Sequence, residues 1–225
     1  MNEAGGSSVF EVDPARPDDW EVPFRKAARA LHRGELVVLP TETVYGLASR
    51  PDLPEATARV FDAKRRPSGL NLPVLAATVE AAWDVGAPND RAMVLARAFW
   101  PGPLTLVLPR TGRSTAWELG DEMDTVAVRV PDHPLSNALL RRTGPLAATS
   151  ANASGEPPLD RHEELMAAFA GTVAVFLVLP PGKPALSGTP STVVDLSGPE
   201  LRVVRIGAIA KGELDGALSA PGPTR

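Results

Sequence analysis

Residues 34–49, GELVVLPTETVYGLAS, combine a buried strand with a cluster of polar side chains. Residues 36–39 are a continuous apolar run, which is typical of a strand buried on both faces of a sheet. Pro40 ends the run because it has no N–H to donate to a neighbouring strand. Polar side chains follow at once over residues 41–45. This pattern indicates a binding site at the carboxyl edge of an α/β sheet, although a strand followed by an ordinary polar turn has the same local pattern.

The composition indicates one globular domain. The chain has 225 residues, 44% of them hydrophobic and 22% charged, which is enough for a sizeable core. Every apolar run is broken by charge or proline within about ten residues, which is too short for a membrane span. We predict a single folded domain over residues 22–210, a flexible N-terminal tail over residues 1–21 and a loose C-terminal tail over residues 211–225.

Cysteine content, charge and the N-terminal sequence bear on the compartment and the partners. The chain has no cysteine, which excludes disulfides and thiolate metal sites and fits a cytoplasmic protein. The first twenty residues are polar and acidic and lack the apolar segment of a signal peptide. The formal net charge of −4 argues against a protein that coats nucleic acid, whose domain is usually strongly basic, but it allows a local basic site.

Periodicity and turn residues predict helices and strands along the whole chain. Helices are predicted at 23–33, 54–64, 78–83, 89–99, 135–142 and 162–170. Strands are predicted at 9–12, 36–39, 72–76, 104–109, 125–130, 145–149, 173–179, 191–196 and 201–206. Several strands follow one another without a helix between them. The expected fold class is therefore α/β, with a single-domain twisted mixed sheet, both parallel and antiparallel, and flanking helices.

A basic loop follows the second predicted helix. Lys64, Arg65 and Arg66 are three successive cations before Pro67. Cations at the C-terminus of a helix are favoured by the helix dipole and are usually solvated. The alternative is a polyphosphate clamp, in which lysine acts as a point charge and arginine as a bidentate fork. The loop alone leaves both interpretations open.

An arginine lies near the end of a predicted strand that is mostly apolar. The run TVAVRV at 125–130 alternates, so Val126, Val128 and Val130 share one face and Arg129 lies on the other. If that second face is also covered, Arg129 needs an anionic partner such as the carboxylate of a ligand. If the face is solvated, Arg129 is an ordinary surface arginine.

A small polar loop at residues 150–152 follows another predicted strand. Its small hydrogen-bonding groups would let a ligand approach the backbone, and an ordinary turn is the alternative. The three histidines have no metal-ligand spacing, and the chain has neither a glycine-rich phosphate loop nor a nucleophile elbow. Nucleotide chemistry would therefore need side chains that converge from several strand ends.

Six stretches, in order, carry a resemblance to a known family. They are LPTETVYGLA at 39–48, KRRP at 64–67 with LPVLA after it, FWPGPLTLVL at 99–108, VAVRVP to AATSANASGEPP across 126–158, STVVDL at 191–196 and VVRIGAI at 203–209. Together they resemble the YrdC family of threonylcarbamoyl-AMP synthases, in the short form with the YrdC-like domain alone. The resemblance implies a twisted mixed sheet with flanking helices around a cationic cavity.

The resemblance also implies an activity. Members of the family are nucleotidyltransferases that make threonylcarbamoyl-AMP and pyrophosphate from L-threonine, bicarbonate and ATP, and Mg²⁺ would accompany the ATP. The product would feed the threonylcarbamoyladenosine modification of tRNA, with transfer to tRNA by separate downstream proteins. Weak binding of tRNA or double-stranded RNA and the absence of a membrane partner are part of the same expectation.

Residue roles follow from the resemblance, position by position. The catalytic residues would be Lys64 and Arg66. The residues that bind ATP would be Lys64, Arg66, Thr125, Ser150, Asn152 and Arg205. The residues that bind L-threonine would be Thr41, Arg129 and Ser191, with Tyr45 nearby.

Three positions depart from the family pattern and bear on substrate affinity. Leu75 stands where a histidine is frequent, Asn71 where a proline is usual, and Pro158 where a hydroxyl residue often contacts the nucleotide.

Glu42 has two open interpretations, since it would either balance the charge of the cations or brace its own loop.

Two other functions stay open. The first is an RNA-binding or ribosome-maturation factor of the same fold without catalysis, for which a basic surface beyond the cavity is expected. The second is a carbamoyl-transfer module similar to the related domain of hydrogenase-maturation proteins, which normally lies inside a much longer chain.

Overall fold

The buried strand predicted at residues 36–39 forms in a large mixed sheet. In the computed structural model it spans Leu36–Pro40 (β3), and all five of its residues are buried. It pairs antiparallel with Tyr45–Ser49 (β4) and parallel with Val173–Val178 (β9). The structure describes residues 6–65, 69–182 and 186–220, together with the backbone of residues 2–4.

Eleven strands form this sheet within the described residues. The others are Asn2–Ala4 (β1), Ser7–Glu11 (β2), Val74–Leu75 (β5), Leu104–Pro109 (β6), Thr125–Arg129 (β7), Leu146–Ser150 (β8), Thr192–Asp195 (β10) and Arg202–Arg205 (β11). Their order across the sheet is β1-β2-β9-β3-β4-β8-β5-β7-β6-β10-β11. The pairs β2–β9, β9–β3, β5–β7 and β6–β10 are parallel and the rest are antiparallel. The predicted mixed sheet is confirmed.

Seven α-helices flank the sheet in the described part of the chain. They are Glu21–His32 (α1), Pro54–Lys64 (α2), Val79–Trp83 (α3), Asp90–Phe99 (α4), Pro134–Thr143 (α5), His162–Ala168 (α6) and Lys211–Ser219 (α7). The side chains of Thr78 and Asn89 accept backbone N–H groups at the starts of α3 and α4. None of these described helices is long and apolar enough to cross a lipid bilayer.

One face of the sheet carries the main core. Alternate strand residues such as Val38, Leu47 and Val128 lie in one apolar cluster with buried residues of α2, α3, α4, α6 and α7. Full burial of such a side chain stabilises the fold by roughly 1.5–3 kcal/mol relative to exposure. The predicted face of the strand at 125–130, with Val126, Val128 and Val130 inward, is therefore confirmed.

The opposite face is covered over only part of its width. Val37 and Leu39 project to this side and pack with α1 and α5 in a second apolar cluster. These two helices lie over β9 and β3. The same face of β7, β6 and β10 lines an open cavity instead. A ligand can therefore reach this face of the sheet only where α1 and α5 do not cover it.

The N-terminal segment is not the flexible tail that we predicted from sequence. Ser7–Glu11 forms β2, which pairs parallel with β9 and places Ser8 opposite Val175. Ser7 Oγ donates a hydrogen bond to the carbonyl of Val173 at 2.6 Å, across 166 residues of sequence. The strand predicted at 9–12 overlaps β2, but its partners are so distant along the chain that local periodicity does not show that the segment joins the sheet.

The prediction of a loose C-terminal tail is also wrong for residues 211–219. These residues form α7, which packs on α4 and buries Leu214 in the main core. Gly212 and Gly216 lower the helix propensity of this segment, so the sequence pattern alone does not favour a helix. Tertiary packing of Leu214, with Ala217 and Leu218 beside it, stabilises the helix instead.

Replacing Leu214 tests whether α7 contributes to the stability of the domain. Because Leu214 is buried, Leu214→Ala should lower the free energy of unfolding by about 2–5 kcal/mol. Asp215→Ala changes the exposed neighbour and should alter that free energy by less than about 0.5 kcal/mol. Urea unfolding followed by circular dichroism measures both. Equal stabilities of the two variants would contradict the packing described above.

Candidate functional site

The uncovered part of the sheet forms the floor of a cavity of about 830 Å³. Floor residues come from β6, β7 and β10, among them Thr105, Thr125 and Val193, and the turn between β3 and β4 contributes to one wall. The volume falls in the range of small-molecule sites, about 300–1,000 Å³. The polar edge predicted after β3 therefore opens into a cavity large enough for a ligand.

The turn after β3 is stabilised by its own side chains. Thr41 Oγ1 accepts the backbone N–H groups of Thr43 and Val44, each at 3.2 Å, and donates to the carbonyl of Val44 at 2.6 Å. Local bonds of this kind are the physical reason that threonine is favoured in turns. The turn places Glu42 and Thr43 against Arg129 of β7.

Arg129 is a buried cation at the end of β7, only 6% exposed. Its Nη2 donates to Glu42 Oε1 at 2.6 Å and to Thr43 Oγ1 at 3.1 Å, and its Nε donates to the carbonyl of Gly102 at 3.1 Å. No described residue accepts a hydrogen bond from Nη1. The predicted need for an anionic partner is confirmed, and that partner within the protein is Glu42.

The Gly102 carbonyl reaches Arg129 because of a close backbone approach. A Cβ atom at residue 102 would lie 2.5 Å from the carbonyl oxygen of Phe99, which no side chain tolerates. The N–H of Gly102 donates to the carbonyl of Val130 at 2.8 Å, which fixes this corner beside β7. Glycine is therefore required at this position, and the resulting backbone path places its carbonyl where it accepts the hydrogen bond from Arg129.

A second arginine, Arg205 of β11, lies on the same cavity. Its Nε and Nη2 donate to the carbonyl of Ser191 at 3.2 and 2.8 Å, and Ser191 Oγ lies 2.9 Å from Thr105 Oγ1. Burial lowers the pKa of Arg205, and the positive charge of Arg129 lowers it further. Two neighbouring guanidinium groups in one cavity favour an anionic ligand, because an anion between them relieves their repulsion.

Lys64 lies behind the cavity wall. It is 2% exposed, and its Nζ donates to the carbonyls of Ser150 and Asn152 and contacts Asn152 Oδ1 at 3.3 Å. Asn152 in turn donates to the carbonyls of Ala153 and Glu156, at 2.9 and 2.5 Å. Lys64 and Asn152 therefore fix the loop at residues 150–152, from which Ser150 faces the cavity.

The structure brings most of the predicted site residues together. Those that line the cavity are Thr41, Thr125, Arg129, Ser150, Ser191 and Arg205. Lys64 and Asn152 contact Ser150 or its loop from behind. Arg66, predicted to be catalytic, lies outside the described residues.

Tyr45 is the predicted site residue that the structure does not bring to the cavity. Its ring belongs to the main core on the other face of the sheet. Its hydroxyl accepts the N–H of Leu179 at 3.0 Å and lies 3.4 Å from His162 Nε2, and burial raises the pKa of the phenol. Tyr45 opens β4, and Gly46 is the residue whose position faces the cavity.

Several cavity residues had no role assigned from sequence. Thr105 binds Ser191, and Asp195 lines the cavity near β11. Burial works against the charge of Asp195, but hydrogen bonds from Ser197 and Arg202 outweigh it and lower the pKa of the carboxyl. The alternation of strand residues places all of these on one face, but which face is open depends on where α1 and α5 pack.

The three departures from the family pattern differ in their position. Leu75 lines the cavity directly beside Arg129 in the sheet register. Asn71 joins two cavity walls, since its Nδ2 donates to the carbonyl of Glu122 at 2.7 Å and its Oδ1 accepts the N–H of Glu122 at 3.1 Å. Pro158 is not among the residues that line the cavity.

The fold and the site define a class of protein, a mixed α/β sheet with one partly open face that forms an arginine-lined cavity. A family model named Sua5_yciO_yrdC, with the description "Telomere recombination", matches residues 29–207. The chain belongs to this Sua5/YciO/YrdC family. The resemblance seen in the six sequence stretches is therefore confirmed.

Named relatives agree with this assignment. The threonylcarbamoyl-AMP synthase of Bacillus subtilis is 36% identical over 195 residues, which cover 86% of this chain and 56% of the relative. A Mycobacterium tuberculosis protein that bears the same name provisionally is 38% identical over 201 residues, which cover 88% of this chain and 90% of the relative. The chain thus spans little more than half of the first relative and nearly all of the second.

Solved structures share the fold. A structure of Pyrococcus abyssi Sua5 complexed with L-threonine superimposes with a TM-score of 0.77 at 30% identity, over 95% of this chain and 60% of that chain. The structure of Escherichia coli YciO superimposes with a TM-score of 0.80 at 24% identity, over 90% of this chain and 96% of that chain. The second likeness concerns the fold alone.

His133 next to the site provides a test by pH. It caps α5, where its Nδ1 accepts the N–H of Leu135 at 3.3 Å. Burial lowers the pKa of this imidazole, although the carboxylates of Glu42 and Asp132 oppose the shift. The pKa of His133 in the folded protein lies below the unfolded value of about 6.5. Its contribution to the free energy of unfolding is therefore complete above that pH. It is lost as the pH falls, since the unfolded chain takes up the proton first.

We expect the melting temperature of the protein to fall between pH 7 and pH 5 by more than that of His133→Asn. Asparagine keeps a side-chain acceptor for the helix start and does not titrate. Thermal unfolding monitored by circular dichroism across this range measures both proteins, and other groups cancel in the comparison. An equal fall in the melting temperatures of the two proteins would contradict a lowered pKa of His133.

Proposed function

We propose that this protein is an L-threonylcarbamoyl-AMP synthase, a nucleotidyltransferase that converts L-threonine, bicarbonate and ATP into threonylcarbamoyl-AMP and pyrophosphate. Membership of the family supports the proposal, because relatives that carry this name align over most of the chain. The cavity supports it as well, since its arginines and hydroxyl groups suit anionic substrates.

The observation that carries the proposal is that Arg129 lines the cavity and that no described residue accepts a hydrogen bond from its Nη1. A buried guanidinium with one free nitrogen is a receptor for a carboxylate, because a charge-assisted hydrogen bond there meets little competition from water. Ser191 and Thr41 also line the cavity and can contribute hydrogen bonds to an amino acid. This region is the threonine end of the proposed site.

The remaining arginine and the loop at residues 150–152 form the proposed nucleotide end. Arg205 has no described partner for its Nη1, and Thr125 and Ser150 present hydroxyl groups to the same cavity. Lys64 holds the loop through its carbonyls, so it positions Ser150. Arg66 completes the proposed phosphate contacts on the strength of the family motif alone.

The proposed reaction needs no nucleophile from the protein. The amine of threonine attacks bicarbonate and a water leaves, which forms N-carboxythreonine. An oxygen of the new carboxylate then attacks the α-phosphorus of ATP, and the bond to the β-phosphate breaks as pyrophosphate departs. The residues of the chain act by positioning the two substrates and by stabilising the charge that develops.

The donor set of the cavity fits Mg²⁺ that is bound mainly through the nucleotide. Among the described residues there is no group of three or more histidine or acidic side chains that could hold a metal ion. Magnesium commonly keeps several waters and binds through substrate phosphates with few protein ligands. Bound in this way, it would offset charge on the triphosphate while Arg205 and Ser150 orient the nucleotide.

The proposal also covers the fate of the product and the location of the protein in the cell. The AMP anhydride would pass to separate proteins that transfer the threonylcarbamoyl group to tRNA, and a cytoplasmic location remains a prediction from the cysteine-free sequence. Weak binding of tRNA or double-stranded RNA also remains a prediction. No described feature favours an RNA-binding factor without catalysis, and the net charge of −4 argues against one.

Release of pyrophosphate from ATP tests the proposed reaction. We expect release only when both L-threonine and bicarbonate are present with Mg²⁺, because neither substrate alone supplies the attacking carboxylate. A coupled phosphate assay after pyrophosphatase treatment measures it, with each component left out in turn. Absence of turnover together with tight binding of tRNA would instead support the RNA-binding alternative.

Substitutions in the basic loop test its role. Lys64→Ala removes the charged donor that the carbonyls of residues 150 and 152 share, so kcat/KM for ATP should fall by about a hundredfold or more. Arg66→Ala should cause a loss of similar size. Arg65→Gln removes a charge from the same loop and is the matched control, with activity close to that of the unaltered protein. Near-normal kinetics of both test variants would reject these two assignments.

A further inference from the structure

We infer that Glu42 is a positioning residue, whose carboxylate holds the guanidinium of Arg129 so that Nη1 stays directed to the α-carboxylate of the amino-acid substrate. This inference rests on the proposed function. It gives a role to a carboxylate for which the sequence pattern left two interpretations open, charge balance and bracing of the loop.

The geometry around Arg129 fixes the plane of its guanidinium. Three acceptors take hydrogen bonds from one side of the group: Glu42 Oε1 at 2.6 Å, Thr43 Oγ1 at 3.1 Å and the Gly102 carbonyl at 3.1 Å. A guanidinium is planar and has its donors in a rigid fork, so three fixed contacts determine the direction of the remaining nitrogen. The contact to Glu42 is the shortest of the three and the only one to a charged group.

Glu42 supports the arginine and does not itself line the cavity. The cavity is lined by Thr41, Thr43 and Arg129, with Glu42 behind them. The side chain of Arg129 is 8% exposed and that of Glu42 is 21% exposed. Glu42 is therefore placed to act through Arg129.

The ion pair is poorly explained as a device for stability. Glu42 Oε2 is buried and has no hydrogen-bond partner among the described residues. A buried carboxylate that is only partly hydrogen-bonded costs free energy, and buried ion pairs are weak evidence for stability in any case. A role in binding accounts for a carboxylate at this position better than a role in folding does.

The backbone at Glu42 is rigid enough to hold the arginine. The network of Thr41 closes the turn, and the carbonyl of Glu42 accepts the N–H of Ser187 at 3.1 Å. The carbonyl of Thr43 accepts the N–H of Gly188 at 2.8 Å. The backbone of the turn is thus held at both residues, which fixes the position from which the carboxylate of Glu42 reaches Arg129.

Glu42 also allows two arginines to share the cavity. Arg129 and Arg205 are close enough that the charge of the first lowers the pKa of the second. The negative charge of Glu42 offsets Arg129 before any substrate is bound. The site can then hold its two cations in place without a ligand, which keeps it organised for binding.

The kinetic consequence of this role is specific. Arg129 would bind the α-carboxylate equally in the ground state and the transition state, because that group takes no part in bond making. Loss of such uniform binding raises KM and leaves kcat largely unchanged. The variants of Glu42 should therefore show a higher KM for L-threonine and an unaltered KM for ATP.

The experiment compares Glu42→Ala and Glu42→Gln by steady-state release of pyrophosphate. Glu42→Ala should raise the KM for L-threonine by about tenfold to a hundredfold, as expected for a lost bond to a charged group. Glu42→Gln keeps an acceptor for Nη2 but loses the charge, so about threefold to tenfold is expected. For both variants kcat and the KM for ATP should stay within about twofold.

The matched control is Glu35→Gln, which removes the same charge from an exposed ion pair with Arg33. This variant should leave kcat, the KM for L-threonine and the KM for ATP unchanged. Thermal unfolding is recorded for each protein. If Glu42→Ala does not fold, Glu42→Gln makes the same comparison, because it keeps the volume of the side chain and the oxygen that faces Nη2.

Four results would overturn the inference in an active protein. Unchanged constants would show that Glu42 has no role, and a lower KM for L-threonine would show that it competes for Arg129. A fall in kcat at constant KM would mean that Glu42 acts on the reacting groups. A rise in both KM values with a lower melting temperature would mean a role in folding. A wild-type protein without threonine-dependent turnover would overturn the proposed function, and this inference with it.

Discussion

A buried guanidinium at the end of β7 is the contact on which the site depends. Arg129 joins the turn after β3, through Glu42 and Thr43, to the glycine corner at residue 102. Removal of a charge from water is costly, so this group can stay inside the protein only while its partners remain in place. One side chain thereby holds three separate chain segments together. No described residue accepts a hydrogen bond from its Nη1, and the residue lines the cavity.

The architecture explains why the cavity lies where it does. Helices α1 and α5 cover β9 and β3 on one face and leave β7, β6 and β10 open on that face, while five helices cover the other face. The helices on that other face support the cavity floor from behind, and the continuous sheet gives the floor its rigidity. Polar groups from strands and turns far apart in sequence therefore meet in one cavity, with arginines at both the β7 and the β11 side.

The two buried cations Arg129 and Lys64 act in different ways. Arg129 is paired with a carboxylate and keeps a free nitrogen on the cavity. Lys64 donates to neutral oxygen atoms, among them two backbone carbonyls of the loop that carries Ser150. A strongly hydrated point charge can lie there because its hydrogen bonds replace those to water. The first side chain itself lines the cavity, and the second holds the backbone of the loop from which Ser150 lines it.

The sequence by itself determined the local elements and the polar positions. The bounds of α2 and β6 were predicted without error, because a terminal proline, helical spacing and strand alternation are local signals. The tertiary structure decided the rest. Strand β2 and helix α7 exist because of partners distant in sequence, and Glu42 meets Arg129 across 87 residues. The positions of Tyr45 and Arg129 relative to the cavity follow from where α1 and α5 pack, since alternation separates two faces of a strand without showing which one is open.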